Sequence, residues 1–308
     1  MIVTVTHRFH DPIRLSKYSY LKGSLLTAAR RSDALVTLLT DRIDRKVLEA
    51  GKRLRIVANV AVGVDNIDVA AATRLGILVT NTPGVLTEST ADLAWALILA
   101  VARRVVEGDA LMRAGRFEGW DFDLLRGMEL KGKTLGIVGA GRIGQAVARR
   151  ARGFGMKVLL HSRSGGVSLR QLLKTSNVVS IHVPLNKATH HLIGAPELRL
   201  MKSTAILINT ARGPVVDERA LTSALRTRVI AGAGLDVYER EPKVHAGLVR
   251  LRNVVLLPHL GSATDDSRRA MLDTAVANVK AALAGRRPQN LVNPKAWTNA
   301  ARRPASYS

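Results

Sequence analysis

Cysteine is absent from all 308 residues. That excludes a disulfide framework, a cysteine-ligated zinc site and a cysteine nucleophile, and it is compatible with a reducing compartment. Long hydrophobic runs are missing too. The longest uncharged apolar run, Leu93 to Ala102, is closed by Arg103 and Arg104, far short of the ~20 residues that cross a bilayer. The N-terminus shows no basic segment leading into an apolar core and a small-residue cleavage site, so no signal peptide is expected. A soluble, cytoplasmic chain without a membrane partner is the expectation. Aromatics are scarce at 4%, and acidic residues are outnumbered, 24 against 47 Lys and Arg, a net charge of +23.

Such a field attracts anions, nucleic acid among them. The basic pairs Arg30–Arg31, Arg103–Arg104, Arg149–Arg150, Arg268–Arg269, Arg286–Arg287 and Arg302–Arg303 are spread along the chain rather than gathered in one arm. They read as a solvated basic surface, with nucleic acid a partner not favoured. What is present is ordinary for a globular protein: 47% hydrophobic and 23% charged residues, which rule out a disordered or fibrous chain. The length suits one large or two ordinary domains.

Short β-branched runs alternate with helical stretches, the signature of an α/β fold with parallel sheets. In the first region strands are expected at Ile2–Val5, Ala34–Leu38, Arg55–Asn59 and Ile77–Thr80, with helices at Asp44–Ala50 and Val69–Leu75. One long helix, apolar nearly all round, is expected from Glu88 to Val106. The second region predicts strands at Thr134–Val138, Lys157–His161, Val178–Val183, Ala205–Asn209, Ile230–Leu235 and Val254–Leu257, then a helix over Asp266–Leu283. These strands are near-continuous apolar runs, as in a sheet buried on both faces. The tail from Pro294 to Ser308 is expected to fray.

The sharpest local signal is Gly139-Ala-Gly141-Arg142-Ile143-Gly144, between an apolar strand and an amphipathic helix. In G-x-G-x-x-G the first glycine makes a tight turn, the second admits a pyrophosphate to the backbone, and the third packs helix on strand. The helix N-terminus then offers free N–H groups to the anion. An NAD-preferring site places a carboxylate at the end of the next strand, ~20 residues on. Ser162 and Arg163 stand there instead. A hydroxyl and a guanidinium welcome a 2′-phosphate, which predicts NADPH over NADH.

Three titratable residues each follow a predicted strand: Arg212 after Ala205–Asn209, Glu241 after Ile230–Leu235, His259 after Val254–Leu257. Ligands of doubly wound sheets bind outside the carboxyl ends of strands. Hydride transfer to a carbonyl there needs an acid for the developing alkoxide and a cation for the substrate's carboxylate. Among the other histidines, His10, His161, His182, His190, His191 and His245 read as core or cap residues.

With Val62-Gly-Val-Asp-Asn-Ile-Asp68, Asn81-Thr-Pro-Gly-Val-Leu-Thr87, His182-Val-Pro-Leu185, Asn209–Gly213, Gly234–Pro242 and Pro258–Thr264 added, residues 34–293 resemble the D-isomer-specific 2-hydroxyacid dehydrogenases. The branch they look most like is that of the glyoxylate/hydroxypyruvate reductases. The resemblance implies a Rossmann cofactor domain (92–265) inserted into a flavodoxin-like α/β substrate domain (1–91 and 266–308). It implies reduction of a small 2-oxo acid to the D-2-hydroxy acid with NADP, or NAD, in a homodimer. It makes His259 the general acid and base, and Glu241 its holder, raising the imidazole pKa. Arg212 becomes the clamp on carboxylate and carbonyl, with the Val62 and Gly63 amides as further carboxylate donors. Cofactor contacts fall on Thr90, Gly139, Gly141, Arg142, Ile143, Gly144, Ser162, Arg163, Pro184, Thr210, Ala211, Arg212, Asp236, His259 and Gly261. Trp120 would reach a neighbouring subunit's substrate pocket. No metal is implied.

Against the family's pattern the first 30 or so residues and the stretch 162–175 are short, and Asn177 replaces a frequent Asp. A long form with a regulatory domain after Asn293 is not expected. The alternatives are another D-2-hydroxyacid or phosphoglycerate dehydrogenase, or an NAD(H)-sensing co-repressor-like protein.

Overall fold

The computed structural model describes residues 1–7 and 18–300, with side chains to Thr298. His10 and the tail beyond Ala300 lie outside the described residues. The chain forms two compact units, one of Met1–Val85 with Thr264–Ser308, the other Leu86–Ala263. The divisions fall at Leu86 and Thr264, beside the expected crossings near Ala91 and Asp266, because the helix from Thr87 packs wholly with the second unit's core.

The first unit opens with β1 (Val3–Val5), β2 (Ser19–Tyr20), α1 (Leu25–Arg31), β3 (Ala34–Thr37), α2 (Arg45–Ala50), β4 (Ile56–Asn59), α3 (Val69–Arg74) and β5 (Leu78–Thr80). The second holds α4 (Thr87–Ala102), α5 (Val105–Arg113), β6 (Thr134–Val138), α6 (Arg142–Ala151), β7 (Lys157–Ser162), β8 (Gly165–Gly166), α7 (Leu169–Thr175), β9 (Val178–Ile181), α8 (Ala195–Leu200), β10 (Ile206–Asn209), α9 (Glu218–Arg226), β11 (Gly232–Leu235), α10 (Ala246–Val249) and β12 (Val254–Leu256). The chain then returns to the first unit with α11 (Asp265–Leu283) and α12 (Pro294–Ala300).

In the first unit the strand order is β2-β1-β3-β4-β5, parallel throughout, which is the flavodoxin-like order. Asp44, Asp68 and Ser24 cap helices by accepting from Val47, Ala71 and Thr27 amides. The returning segment is tied in by polar bonds that only a folded unit can offer. Arg55 donates to the Ala282 and Leu283 carbonyls at the end of α11, and buried Asn293 accepts from Val79 N–H while donating to Ile77 O. Residues 294–300, expected to fray, are helical instead, because Ala296 is fully buried there.

The second unit's sheet runs β12-β11-β10-β9-β6-β7-β8, parallel except for the two-residue antiparallel β8. This is the doubly wound Rossmann order, with its reversal between β6 and β9. One face is covered by a cluster containing Leu172, Leu198, Leu221 and Leu225, the other by one containing Ala94, Leu97, Ile98 and Val147. With both faces dry, the strands must be apolar without alternation, which is why their sequence runs were readable.

The single long helix expected over Glu88–Val106 is two. Arg104 takes φ +53, its guanidinium forks onto Glu107, and α5 starts anew at Val105. An ion pair at the head of α5 and a left-handed residue between the pieces are signals that apolar periodicity does not carry. The compressed 162–175 stretch is a hairpin followed by α7, whose cap is Ser168.

Candidate active site

The cradle after β6 shows why three glycines are needed. Gly139 has φ +103, and a methyl carbon on it would lie 2.7 Å from the His182 carbonyl. One on Gly144 would lie 2.1 Å from Gly139 O. These two glycines let β6, α6 and the end of β9 touch. Gly141 is different: a methyl carbon there would meet nothing within 4 Å. The space is kept beside the N-terminus of α6, which begins on Gly141 without a side-chain cap, whereas α2, α3, α7 and α9 are each capped by Asp or Ser. Uncapped N–H groups and open space are what a pyrophosphate needs. The Thr210 hydroxyl, just past β10, is buried without a hydrogen-bond partner. A dinucleotide fits these features.

At the far end of β7 there is no carboxylate. Ser162 donates to Gly165 O and pairs with the Ser164 hydroxyl, while Arg163 is exposed with no side-chain partner among the described residues. His182, at the end of β9, bonds the Ser180 hydroxyl at 2.8 Å, and burial pulls its imidazole down to about 3, keeping it neutral.

Three neighbouring strands, β10, β11 and β12, run parallel, so the residues after them emerge at one edge. His259 Nδ1 and Glu241 Oε2 are 2.8 Å apart, with the side chains 26% and 30% exposed. Burial alone would raise the Glu241 carboxyl. The His259 hydrogen bond, the Tyr238 N–H bonded at 3.0 Å, and the charges of His259 and Arg212 outweigh it and hold the group below its usual value. Arg212 is therefore a felt neighbour of the pair. Its own Nη1 donates to Ala211 O, and Asn209 braces the loop by accepting from Ala211 N–H and donating to Arg212 O.

His259 itself has φ +58, unusual for a residue with a side chain. Asp236 holds that conformation. Its two oxygens accept from Leu260 N–H at 2.6 Å and Gly261 N–H at 2.8 Å, and Thr90 donates to Gly261 O. Burial pushes the Asp236 carboxyl up, the two amides offsetting only part of the effect. Asp236 and Thr90, expected along the cofactor, brace the loop that carries His259. Tyr238, which sequence reasoning passed over, ties the same pieces together: its hydroxyl donates to Leu257 O at 2.8 Å while its N–H serves Glu241. It stood within the quoted Gly234–Pro242 segment, but nothing local marked it.

Val62 and Gly63 belong to the first unit, in the loop after β4. Their carbonyls are used by Asn81 and Asn59 side chains, and their amides have no partner among the described residues. Pro184 and Ala211 follow β9 and β10 at the edge where strands end. Trp120 is 83% exposed.

Comparison with known proteins identifies relatives. The NAD-binding domain of the D-isomer specific 2-hydroxyacid dehydrogenases matches residues 95–261. A glyoxylate reductase of Thermococcus litoralis is 53% identical over 293 residues, covering 90% of this chain and 88% of its own. The crystal structure of a Thermus thermophilus protein superposes with a TM-score of 0.89 at 46% identity, covering 95% of this chain and all of its own. That of an NADPH-dependent glyoxylate/hydroxypyruvate reductase from Sinorhizobium meliloti, bound to NADP and malonate, has a TM-score of 0.87 at 34% identity, covering 95% and 97%. A phosphate cradle at one switch point, and an imidazole, a carboxylate and a guanidinium at the neighbouring strand ends, are thus features of a chain that belongs to the D-isomer-specific 2-hydroxyacid dehydrogenase family of NAD(P)-dependent oxidoreductases.

Proposed function

We propose that the protein reduces a small 2-oxo acid, glyoxylate or hydroxypyruvate, to the 2-hydroxy acid, and prefers NADPH. The observation that carries the reading is the 2.8 Å bond between His259 Nδ1 and Glu241 Oε2, with the Arg212 charge felt at the same carboxylate. The reduced nicotinamide, when bound, supplies the hydride. Gly139, Gly141, Arg142, Ile143 and Gly144 hold the pyrophosphate, and Thr210 gives its unpartnered hydroxyl to the cofactor.

With Nδ1 committed to Glu241, only Nε2 of His259 is left to face the substrate. Nε2 gives a proton to the carbonyl oxygen as negative charge develops there, while the Glu241 carboxylate holds the ring by its Nδ1. Arg212 presents two parallel N–H donors to the substrate carboxylate and polarises the adjoining carbonyl.

NADPH preference rests on Ser162 and Arg163, where a carboxylate would repel the 2′-phosphate. The relatives support the substrate class: the Thermococcus litoralis protein is a glyoxylate reductase, and the Sinorhizobium meliloti enzyme is an NADPH-dependent glyoxylate/hydroxypyruvate reductase. A homodimer belongs to the same reading. Val105, Val106, Met112, Phe117, Trp120 and Phe122 are all about half exposed or more on α5 and the loop after it, and a second copy would cover them. No helix among the described residues is long and apolar enough to cross a membrane.

The test is a steady-state panel of glyoxylate, hydroxypyruvate, pyruvate and 3-phosphohydroxypyruvate with NADPH and NADH, on wild type and His259→Ala. Turnover of the first two with NADPH is expected, falling at least ~10²-fold in the variant with NADPH affinity within about twofold. Equal loss of NADPH binding, or no turnover of any oxo acid by wild type, refutes the assignment.

A further inference from the structure

Outside the reacting groups, His190, His191, Glu218 and Glu239 form a titratable cluster that the chemistry above does not use. His191 stands at its centre. Its backbone is left-handed, φ +51, a conformation that residues with side chains seldom adopt. It is held there at two ends. The main-chain N–H donates to Pro214 O at 2.8 Å, and ring Nε2 bonds the Glu239 carboxylate in a short contact. The His190 ring lies 4.1 Å away, tilted against it.

Those two attachments belong to the two loops that matter. Pro214 follows Arg212 by two residues, and the segment is carried further by Ile193 N–H donating to Val215 O. Glu239 sits within the turn whose Tyr238 N–H and Glu241 carboxylate bond each other. Glu239 is itself fixed from behind: its N–H donates at 2.6 Å to Glu218 Oε1, at the first turn of α9, and Glu218 is 6% exposed. An ordinary exposed ion pair floats on two long side chains and contributes little. Here both partners are anchored through their backbones, so the pair transmits position rather than mere charge.

We propose that His191, through Glu239, is a positioning residue that locks the Arg212 segment to the Glu241 turn and so sets the approach of Glu241 to His259. This rests on the proposed function, since it assigns those three residues to the reaction. His191 does not touch the substrate. Its work is to keep the clamp and the acid's holder at one spacing, and sub-ångström errors there are costly.

The test compares His191→Asn, Glu239→Ala, Glu239→Gln and the His191→Asn/Glu239→Ala double variant. Asn tolerates the left-handed backbone while removing the ring. The readouts are kcat and KM for glyoxylate with NADPH, the thermal midpoint, and the ¹⁵N signals of the His259 imidazole, assigned with His259→Gln. Expected are an about tenfold lower kcat in His191→Asn and Glu239→Ala, with KM within about twofold. The double variant should be no worse than the worse single one, and Glu239→Gln should keep most activity. In its neutral form the His259 ring should move from one tautomer, Nδ1 protonated, to a mixture. Unchanged kcat, multiplied losses in the double variant, or unchanged His259 signals overturn the proposal. Should wild type turn over no oxo acid, the proposed function fails, and the tautomer shift still decides whether the lock exists.

Discussion

Gly213→Ala is the most revealing single substitution in the catalytic edge. A methyl carbon on Gly213 would lie 1.8 Å from the Tyr238 carbonyl carbon and 1.9 Å from its oxygen. Both are backbone atoms of the turn that carries Glu241, so no side chain can rotate away. Ordinary carbon–carbon contact is about 3.5 Å, which means the two loops must part by about 1.7 Å. Overpacking of this kind destabilises by about 1–3 kcal/mol, a loss of several degrees in thermal midpoint for a unit of this size. The catalytic penalty should be larger in relative terms. Arg212 precedes Gly213 and Glu241 follows Tyr238 by three residues, so the displacement falls between the proposed clamp and Glu241, the proposed holder of the acid, whose Oε2 lies 2.8 Å from His259 Nδ1. Misplacement by about 1 Å can cost 10²-fold, so kcat should drop by about that factor, or about 2.7 kcal/mol of transition-state stabilisation. The cradle at Gly139–Gly144 lies on β6 and α6, which the change does not touch. NADPH affinity, read by fluorescence titration, should therefore stay within about threefold. A folded Gly213→Ala protein with wild-type kcat would show that the closeness of these loops has no part in the chemistry.

Other outcomes follow from the same geometry. Gly141→Ala adds a methyl to open space, so the thermal midpoint should not change while the NADPH KM rises about tenfold or more; an unchanged KM would remove the pyrophosphate from this loop. Ser162→Asp with Arg163→Ala should turn the proposed NADPH preference toward NADH, seen as the ratio of kcat/KM for the two cofactors, and an unmoved ratio would refute a 2′-phosphate site at these residues. Glu241 is held below its ordinary value of 4.5 in the folded protein, so its contribution to stability is full above that value and fades as pH falls through the lowered one. The gap in thermal midpoint between wild type and Glu241→Gln should therefore be constant near neutrality and close on acidification below about pH 4.5. A gap that widens in acid would reverse the assigned shift.

Much of the fold was legible because burial on both faces leaves strands apolar without interruption. β6 runs over the expected Thr134–Val138, and β4, β9 and β10 fall within the expected runs. The cradle was legible for a related reason: Gly139, Gly141 and Gly144 answer to local backbone geometry, and local geometry is written in adjacent residues. Short helices were not. α1, α8 and α9 were passed over, and α4 and α5 were fused, because apolar spacing does not register a left-handed Arg104 or its ion pair with Glu107. His191 read as an ordinary histidine, since Pro214 and Glu239, its two anchors, are 23 and 48 residues away.

Residue order alone determined that this chain makes parallel α/β sheets, carries a dinucleotide cradle, and places Arg212, Glu241 and His259 in the loops after three strands. Each follows from interactions spanning a few residues. Only the folded chain decided that those strands are neighbours, that Asp236 steadies a strained His259, and that Tyr238 and Gly213 bring the loops into contact. These depend on lateral order in the sheet and on backbone atoms meeting across it, where the partners are distant in sequence and chosen by packing.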